Sequence, residues 1–187
     1  MKLASVLTAA AIAAASPASA MTYSWRAIND HIVIDAAGDI TFTEKADFAS
    51  WVAYAAQSWG GKKATAIILN SPGGNVVGGD GLAGVIYQHH LMTGVAHGGF
   101  CASACVEAWA SGIVKTVPSD GAVAVHHATG RMHNDQDDMG TTDYMVNVYR
   151  RLGAPASVLD ATLNTPSKDI HPLTPDEYAA WNAKIIP

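Results

Sequence analysis

The chain has 187 residues and a formal net charge of −5 at pH 7, from 11 lysines and arginines against 16 aspartates and glutamates. That balance argues against nucleic acid and anionic membrane as partners, since both need a basic face. With 49% hydrophobic and 14% charged residues, the chain is long and apolar enough to bury one sizeable core.

Met1 to Ala20 reads as a secretory signal peptide and is expected to lie outside the fold. Lys2 supplies a short basic region, Leu3 to Ala15 is apolar or small, and Ala18-Ser19-Ala20 is an A-x-A cleavage site. The apolar run is too short for a transmembrane anchor, which needs about 20 residues. No later stretch is apolar and long enough to span, so no membrane span is expected in the mature chain. Residues 21–187 are expected to form a single domain in a secreted or periplasmic protein.

His31-Ile32-Val33-Ile34 is a short β-branched strand, turned by Ala37-Gly38-Asp39. Residues 43 to 58 read as a helix with Thr43 at its N-cap, because Phe48, Trp51, Val52 and Ala55 recur at three and four. Ala64 to Leu69 is a continuous apolar run of the kind a buried strand shows. It leads into Ser71-Pro72-Gly73-Gly74 and then a glycine-rich helix over about 78–90. Thr93 to Ala96 is a strand, Gly98-Gly99 opens a turn, and 102–111 reads as a helix. Residues 113–117 and 122–126 are strands separated by Pro118-Ser119-Asp120-Gly121. Residues 131–142 are polar and read as a loop. Helices follow over 143–152 and 155–163. In the last helix Thr174 is the N-cap, Pro175 takes the first helical position and Glu177 completes a capping box. The repeated order of strand, Gly-rich turn and helix implies an α/β fold with buried, largely parallel strands.

The segment Cys101-Ala102-Ser103-Ala104-Cys105 concentrates the chemistry. A serine presented on a small-residue turn can attack a carbonyl, provided a base takes its proton. Backbone N–H groups at a helix start can receive the oxyanion. The N–H groups of Ala104 and Gly74 are the candidate donors. Taken alone, Ser103 also fits a helix N-cap, and Gly73-Gly74 an ordinary turn. His126 and His127 follow the 122–126 strand. Side chains alternate across a strand, so only one of the two can face Ser103. Cys101 and Cys105 are the only cysteines. In an oxidising compartment they are expected to form a local staple around the serine, with buried thiols or a cysteine nucleophile as competing readings. His126, His127, His133, Asp135, Asp137 and Asp138 have metal-ligand chemistry, but their spacing fits no standard metal motif. Neither metal nor cofactor is expected.

The stretch Ile68-Leu69-Asn70-Ser71-Pro72-Gly73-Gly74 resembles the first signature of the Clp protease proteolytic subunit and its relatives. Residues 98–108 resemble the nucleophile turn of that family, and Val123-Ala124-Val125-His126 the strand that delivers its histidine. The likeness spans about residues 31 to 127. The signal peptide and the CASAC run are more like exported relatives than the cytosolic subunit. The resemblance implies a Clp/crotonase-type fold: repeated ββα units in a right-handed superhelix. It implies a serine peptidase with Ser103 as nucleophile, His126 (or His127) as base, Asp169 (or Asp160) as triad acid, and Gly74 and Ala104 as oxyanion donors. It also implies a homo-oligomer acting on peptides or unfolded protein. Past the inner membrane there is no ATP, so no ATPase partner is expected. Two other functions fit the same fold. One is crotonase-type thioester chemistry, which export disfavours, and the other is a non-catalytic binding protein with a vestigial cleft.

Overall fold

The computed structural model describes residues 20–130 and 136–187. The signal-peptide reading therefore falls outside the described residues except for Ala20, as do His133 and Asp135. Two sheets organise the domain. A six-stranded sheet has the order β1 (Thr22–Ile28), β2 (His31–Ala37), β3 (Ala64–Asn70), β4 (Met92–Val95), β6 (Lys115–Pro118), β9 (Ala183–Ile186). A three-stranded sheet has the order β5 (Phe100–Ala102), β7 (Ala122–Val125), β8 (His171–Pro172). Among the described strand pairs, β1–β2 and β7–β8 are antiparallel and the others parallel. This is the mixed, mostly parallel α/β domain that the strand–turn–helix alternation implies.

The helices are α1 (Glu44–Ser58), α2 (Val76–Gln88), α3 (Cys105–Ala110), α4 (Met139–Arg151), α5 (Ala156–Asn164) and α6 (Pro175–Ala180). Helix α2 starts two residues before the expected point because the Asn75 side chain accepts the Gly78 N–H and caps it. Thr43 precedes α1, but its hydroxyl bonds Asp47 and not the backbone. At α6 the capping box of Thr174 and Glu177 forms as expected, with Pro175 in the first turn. Helix α4 begins earlier than expected, within the polar run, because Asp138 caps it by accepting the Thr141 N–H. No helix among the described residues is long and apolar enough to cross a membrane.

Helix α3 is buried on every side and sits at the centre of the molecule. Trp109 meets Trp181 edge to face, with ring centroids 5.4 Å apart, and Tyr149 packs on the other side of Trp181. Such pairs add about 1 kcal/mol each beyond their burial. Trp25, Trp51 and Trp59 lie at the rim, half-buried. The polar exception in α3 is Glu107, fully buried, with neither carboxyl oxygen hydrogen-bonded to any described residue. Burial, reinforced by the charge of Asp80, pushes its carboxyl up to about 8. The folded protein thus keeps a proton there that the unfolded chain releases above the ordinary carboxyl range. Stability falls as pH rises from that range toward 8. Glu107→Met is expected to raise stability by about 1–3 kcal/mol at pH 8 and by less at pH 5, read as melting temperature. An equal gain at both values would contradict a protonated, unpartnered Glu107.

Candidate active site

The two sheets meet where β3 runs out. The Ser71 N–H donates to the Phe100 carbonyl (2.8 Å), and the Ala102 N–H donates to the Ser71 carbonyl (3.0 Å). This bridge between Ser71 and Cys101 brings Gly73-Gly74 onto the serine turn. A Cβ at Gly73 would lie 2.5 Å from the Ala102 carbonyl oxygen, 2.8 Å from Ser103 Cβ and 3.1 Å from the Ala104 nitrogen. A Cβ at Gly74, whose φ is +134°, would lie 2.4 Å from the Ile40 carbonyl oxygen. Backbone approach this close admits only glycine.

Ser103 itself has φ +55°, in the left-handed region. For a non-glycine residue this costs of order 1–3 kcal/mol and persists only where the surroundings fix it. Here they do. The Ser103 N–H donates to the Ala124 carbonyl (3.1 Å). The Ser103 carbonyl accepts from Val106 N–H (2.9 Å) and from the buried Tyr149 hydroxyl (2.9 Å). A disulfide joins Cys101 to Cys105, their Cα atoms 5.3 Å apart, and brackets the serine. Helix α3 starts only at Cys105, so Ser103 stands on a turn ahead of the helix and not in it.

Strands β5 and β7 run parallel, with Ala102 beside Ala124. Ser103 and His126 therefore both emerge just past the C-terminal ends of neighbouring strands, the usual ligand edge of an α/β sheet. They line one pocket of about 280 Å³ with Asp39, Pro72, Gly73, Gly74, Val76, Ala128 and Thr129. The N–H groups of Gly74 and Ala104 have no acceptor among the described residues. Ser103, His126, Gly74 and Ala104 are thus brought together at one turn.

The two histidines just past β7 go to different partners. His127 is buried with both ring nitrogens engaged: Nδ1 lies 2.8 Å from Asp137 Oδ2 and Nε2 lies 2.9 Å from the Leu163 carbonyl. Both partners are acceptors, so the ring serves both only as imidazolium. Burial pulls its pKa down, but the Leu163 carbonyl and the Asp137 carboxylate outweigh that and raise it. The Ser167 N–H and His127 hold Asp137 well below the usual carboxylate range. His127 thus clamps the chain after β7 to the end of α5. His126 differs: it lines the pocket, and its Nδ1 is buried without a hydrogen-bond partner among the described residues. Burial lowers its pKa, favouring neutral imidazole.

The expected triad acid is not delivered. Asp169 is exposed in a turn, its N–H bonded to the Pro166 carbonyl (2.9 Å), and it does not line the pocket. The turn faces solvent because Ser167 is tied to Asp137. Asp160 is exposed on α5, its carbonyl accepting from Asn164. The candidate metal cluster resolves, where described, into the His127–Asp137 ion pair and the Asp138 helix cap. Sequence reasoning missed Tyr149, whose helical spacing marks only a core position, and Asp39, which looked like turn punctuation.

No protein-family model matches the chain, and no curated protein matches it. Solved structures do. A serine-to-alanine mutant of the 1510-N membrane-bound stomatin-specific protease superposes with TM-score 0.57 at 18% identity, covering 80% of this chain and 74% of that one. A lysine-to-alanine mutant of 1510-N in complex with a substrate peptide gives 0.58 at 19%, covering 80% and 70%. A probable enoyl-CoA hydratase/isomerase from Mycobacterium abscessus gives 0.54 at 10%, covering 87% and 68%. This chain has the Clp/crotonase-type fold. At these identities the likeness is one of architecture.

Because the His127 pKa is raised in the folded protein, the clamp's contribution is complete below the unfolded value, about 6.5. It is lost as pH rises through the folded value. Wild type should out-melt Asp137→Asn by about 2–4 °C near pH 6, with the gap narrowing as pH rises above the ordinary histidine range. A gap that is constant with pH would contradict an imidazolium at His127.

Proposed function

We propose that the protein is an exported serine hydrolase, a peptidase that forms an acyl-enzyme at Ser103 without an ATPase partner or a cofactor. The observation that carries this reading is one pocket lined by a left-handed serine, by Gly74 with its N–H free of any acceptor among the described residues, and by a histidine whose pKa burial lowers, with the Ala104 N–H, also without an acceptor there, next in the chain to the serine. In this mechanism His126 Nε2 takes the Ser103 proton as Oγ attacks the carbonyl. The Gly74 and Ala104 N–H groups receive the oxyanion, each worth about 3 kcal/mol of barrier. His126 then returns the proton to the leaving amine. Peptides or unfolded chains are the substrates in this reading. The solved fold neighbour with a substrate peptide bound supports that choice. The expected signal peptide supports export, and homo-oligomeric assembly belongs to the same proposal.

Two residues and not three carry the proton transfer. No described carboxylate accepts from Nδ1 to select the tautomer that leaves Nε2 free, and burial outweighs the His127 backbone and the Asp137 charge that favour the imidazolium. Serine proteases deprived of the acid lose roughly 10⁴ in turnover, so slow turnover is expected here. The same vacant position supports a second reading, a binding protein that keeps the cleft and has lost catalysis.

A fluorophosphonate probe separates the two. Wild type should be labelled and Ser103→Ala should not. His126→Ala should slow labelling by about 10²-fold or more, and Asp169→Ala should leave the rate unchanged. The rate should rise along a limb below the ordinary histidine range and be flat at neutral pH, because burial lowers the His126 pKa. No labelling of folded wild type, or labelling that survives Ser103→Ala, contradicts the hydrolase reading.

A further inference from the structure

Among the described residues lining the Ser103 pocket, Asp39 and His126 carry the titratable side chains, and Asp39 is the acid. Its backbone is fixed at the oxyanion turn. The Asp39 carbonyl accepts the Met21 N–H (2.8 Å). Its neighbour Ile40 donates to the Gly73 carbonyl (2.7 Å) and accepts from the Asn75 N–H (2.8 Å). The wall bearing Asp39 is thus registered against Gly73-Gly74 by main-chain bonds, and little is left to adjust when a ligand enters.

The Asp39 carboxylate is otherwise unused. It forms no hydrogen bond or ion pair with any described residue. The neighbouring acids are all engaged: Asp35 with Arg26, Glu44 with Thr41 and Tyr23, Asp137 with His127 and Ser167. Nor is Asp39 the missing triad acid. The charges that act on His126 are those of His127 and Asp137, and the unpartnered Nδ1 is sealed from the pocket. The remaining wall carries the apolar Pro72, Val76 and Ala128, with Thr129 beside them. A half-enclosed carboxylate against such walls attracts a cation and holds it by charge-assisted hydrogen bonds.

We infer that Asp39 is a specificity-determining residue that selects a peptide carrying an arginine or lysine side chain next to the bond presented to Ser103. The apolar walls take the side-chain stem and the carboxylate takes its charged end. Arginine is favoured over lysine because its planar fork matches a carboxylate. The inference rests on the hydrolase reading for which bond is presented, but binding of the cation does not require the serine to react.

The test uses Ser103→Ala protein beginning at Met21, titrated with blocked pentapeptides that differ only at the central position. The arginine peptide is expected to bind about tenfold more tightly than the norleucine peptide, with glutamate weakest. The arginine preference should weaken with added salt. Asp39→Asn should abolish the preference and Asp39→Lys should reverse it toward glutamate. Norleucine binding as well as arginine, a preference that survives Asp39→Asn, or no peptide binding at millimolar concentration overturns the inference. Fluorophosphonate labelling of wild type reads the hydrolase proposal separately. Labelling without arginine preference sinks this inference alone. Arginine preference without labelling keeps the cation site and sinks the hydrolase.

Discussion

Everything at the pocket depends on the close approach of Gly73 to the Ser103 turn. The approach is set by two backbone hydrogen bonds across Ser71, which stitch the end of β3 to β5. They force a separation that no side chain at Gly73 could occupy: a Cβ there would meet the Ala102 carbonyl oxygen, the Ser103 Cβ and the Ala104 nitrogen. Ser103 is then held in a backbone conformation it would not choose. The Tyr149 hydroxyl, the Ala124 carbonyl and the Cys101–Cys105 disulfide all act on the same few atoms. Strain at one residue is tolerated because several independent contacts over-determine it. Under the proposed mechanism, a serine so fixed needs little reorganisation when a carbonyl arrives.

The electrostatics around this turn divide into three settings. His127 is held charged by two acceptors and ties down the chain beyond β7. One residue earlier, His126 is neutralised by burial and open to the pocket. Glu107, in the first turn of α3, is held neutral by burial, with no hydrogen-bond partner among the described residues. A charged Glu107 would place a negative charge near the Tyr149 hydroxyl that holds the Ser103 carbonyl, and burial prevents that at neutral pH. The adjacent histidines just past β7 thus take opposite tasks through their different partners.

Much of this was legible in the sequence for identifiable reasons. The apolar run at Ala64 to Leu69 announced a buried strand, and Thr174-Pro175-Asp176-Glu177 announced a helix start through its capping chemistry. The small residues around Ser103 and the paired glycines marked a tight turn. Other features carried no local signal. Strand β1 is exposed along most of its length and is held by pairing with β2, so it lacks an apolar pattern. The two-residue strand β8 and the terminal β9 exist only through long-range pairing, with β7 and β6. Asp169 illustrates the limit of spacing arguments. Its sequence position suits a triad acid, but the tie between Ser167 and Asp137 turns that segment toward solvent. Asp39 went unnoticed because a turn aspartate is common, and only the fold reveals which pocket it enters.

The central claim is that the Gly74 and Ala104 N–H groups converge on a single oxygen beside Ser103. A crystal structure of the protein inactivated by a phosphonate ester tests it most directly. The account predicts phosphorus bonded to Ser103 Oγ, with one phosphonyl oxygen within about 3 Å of both backbone nitrogens and the leaving-group side toward His126. An adduct on another residue, or a phosphonyl oxygen turned to solvent with both N–H groups left vacant, would contradict it.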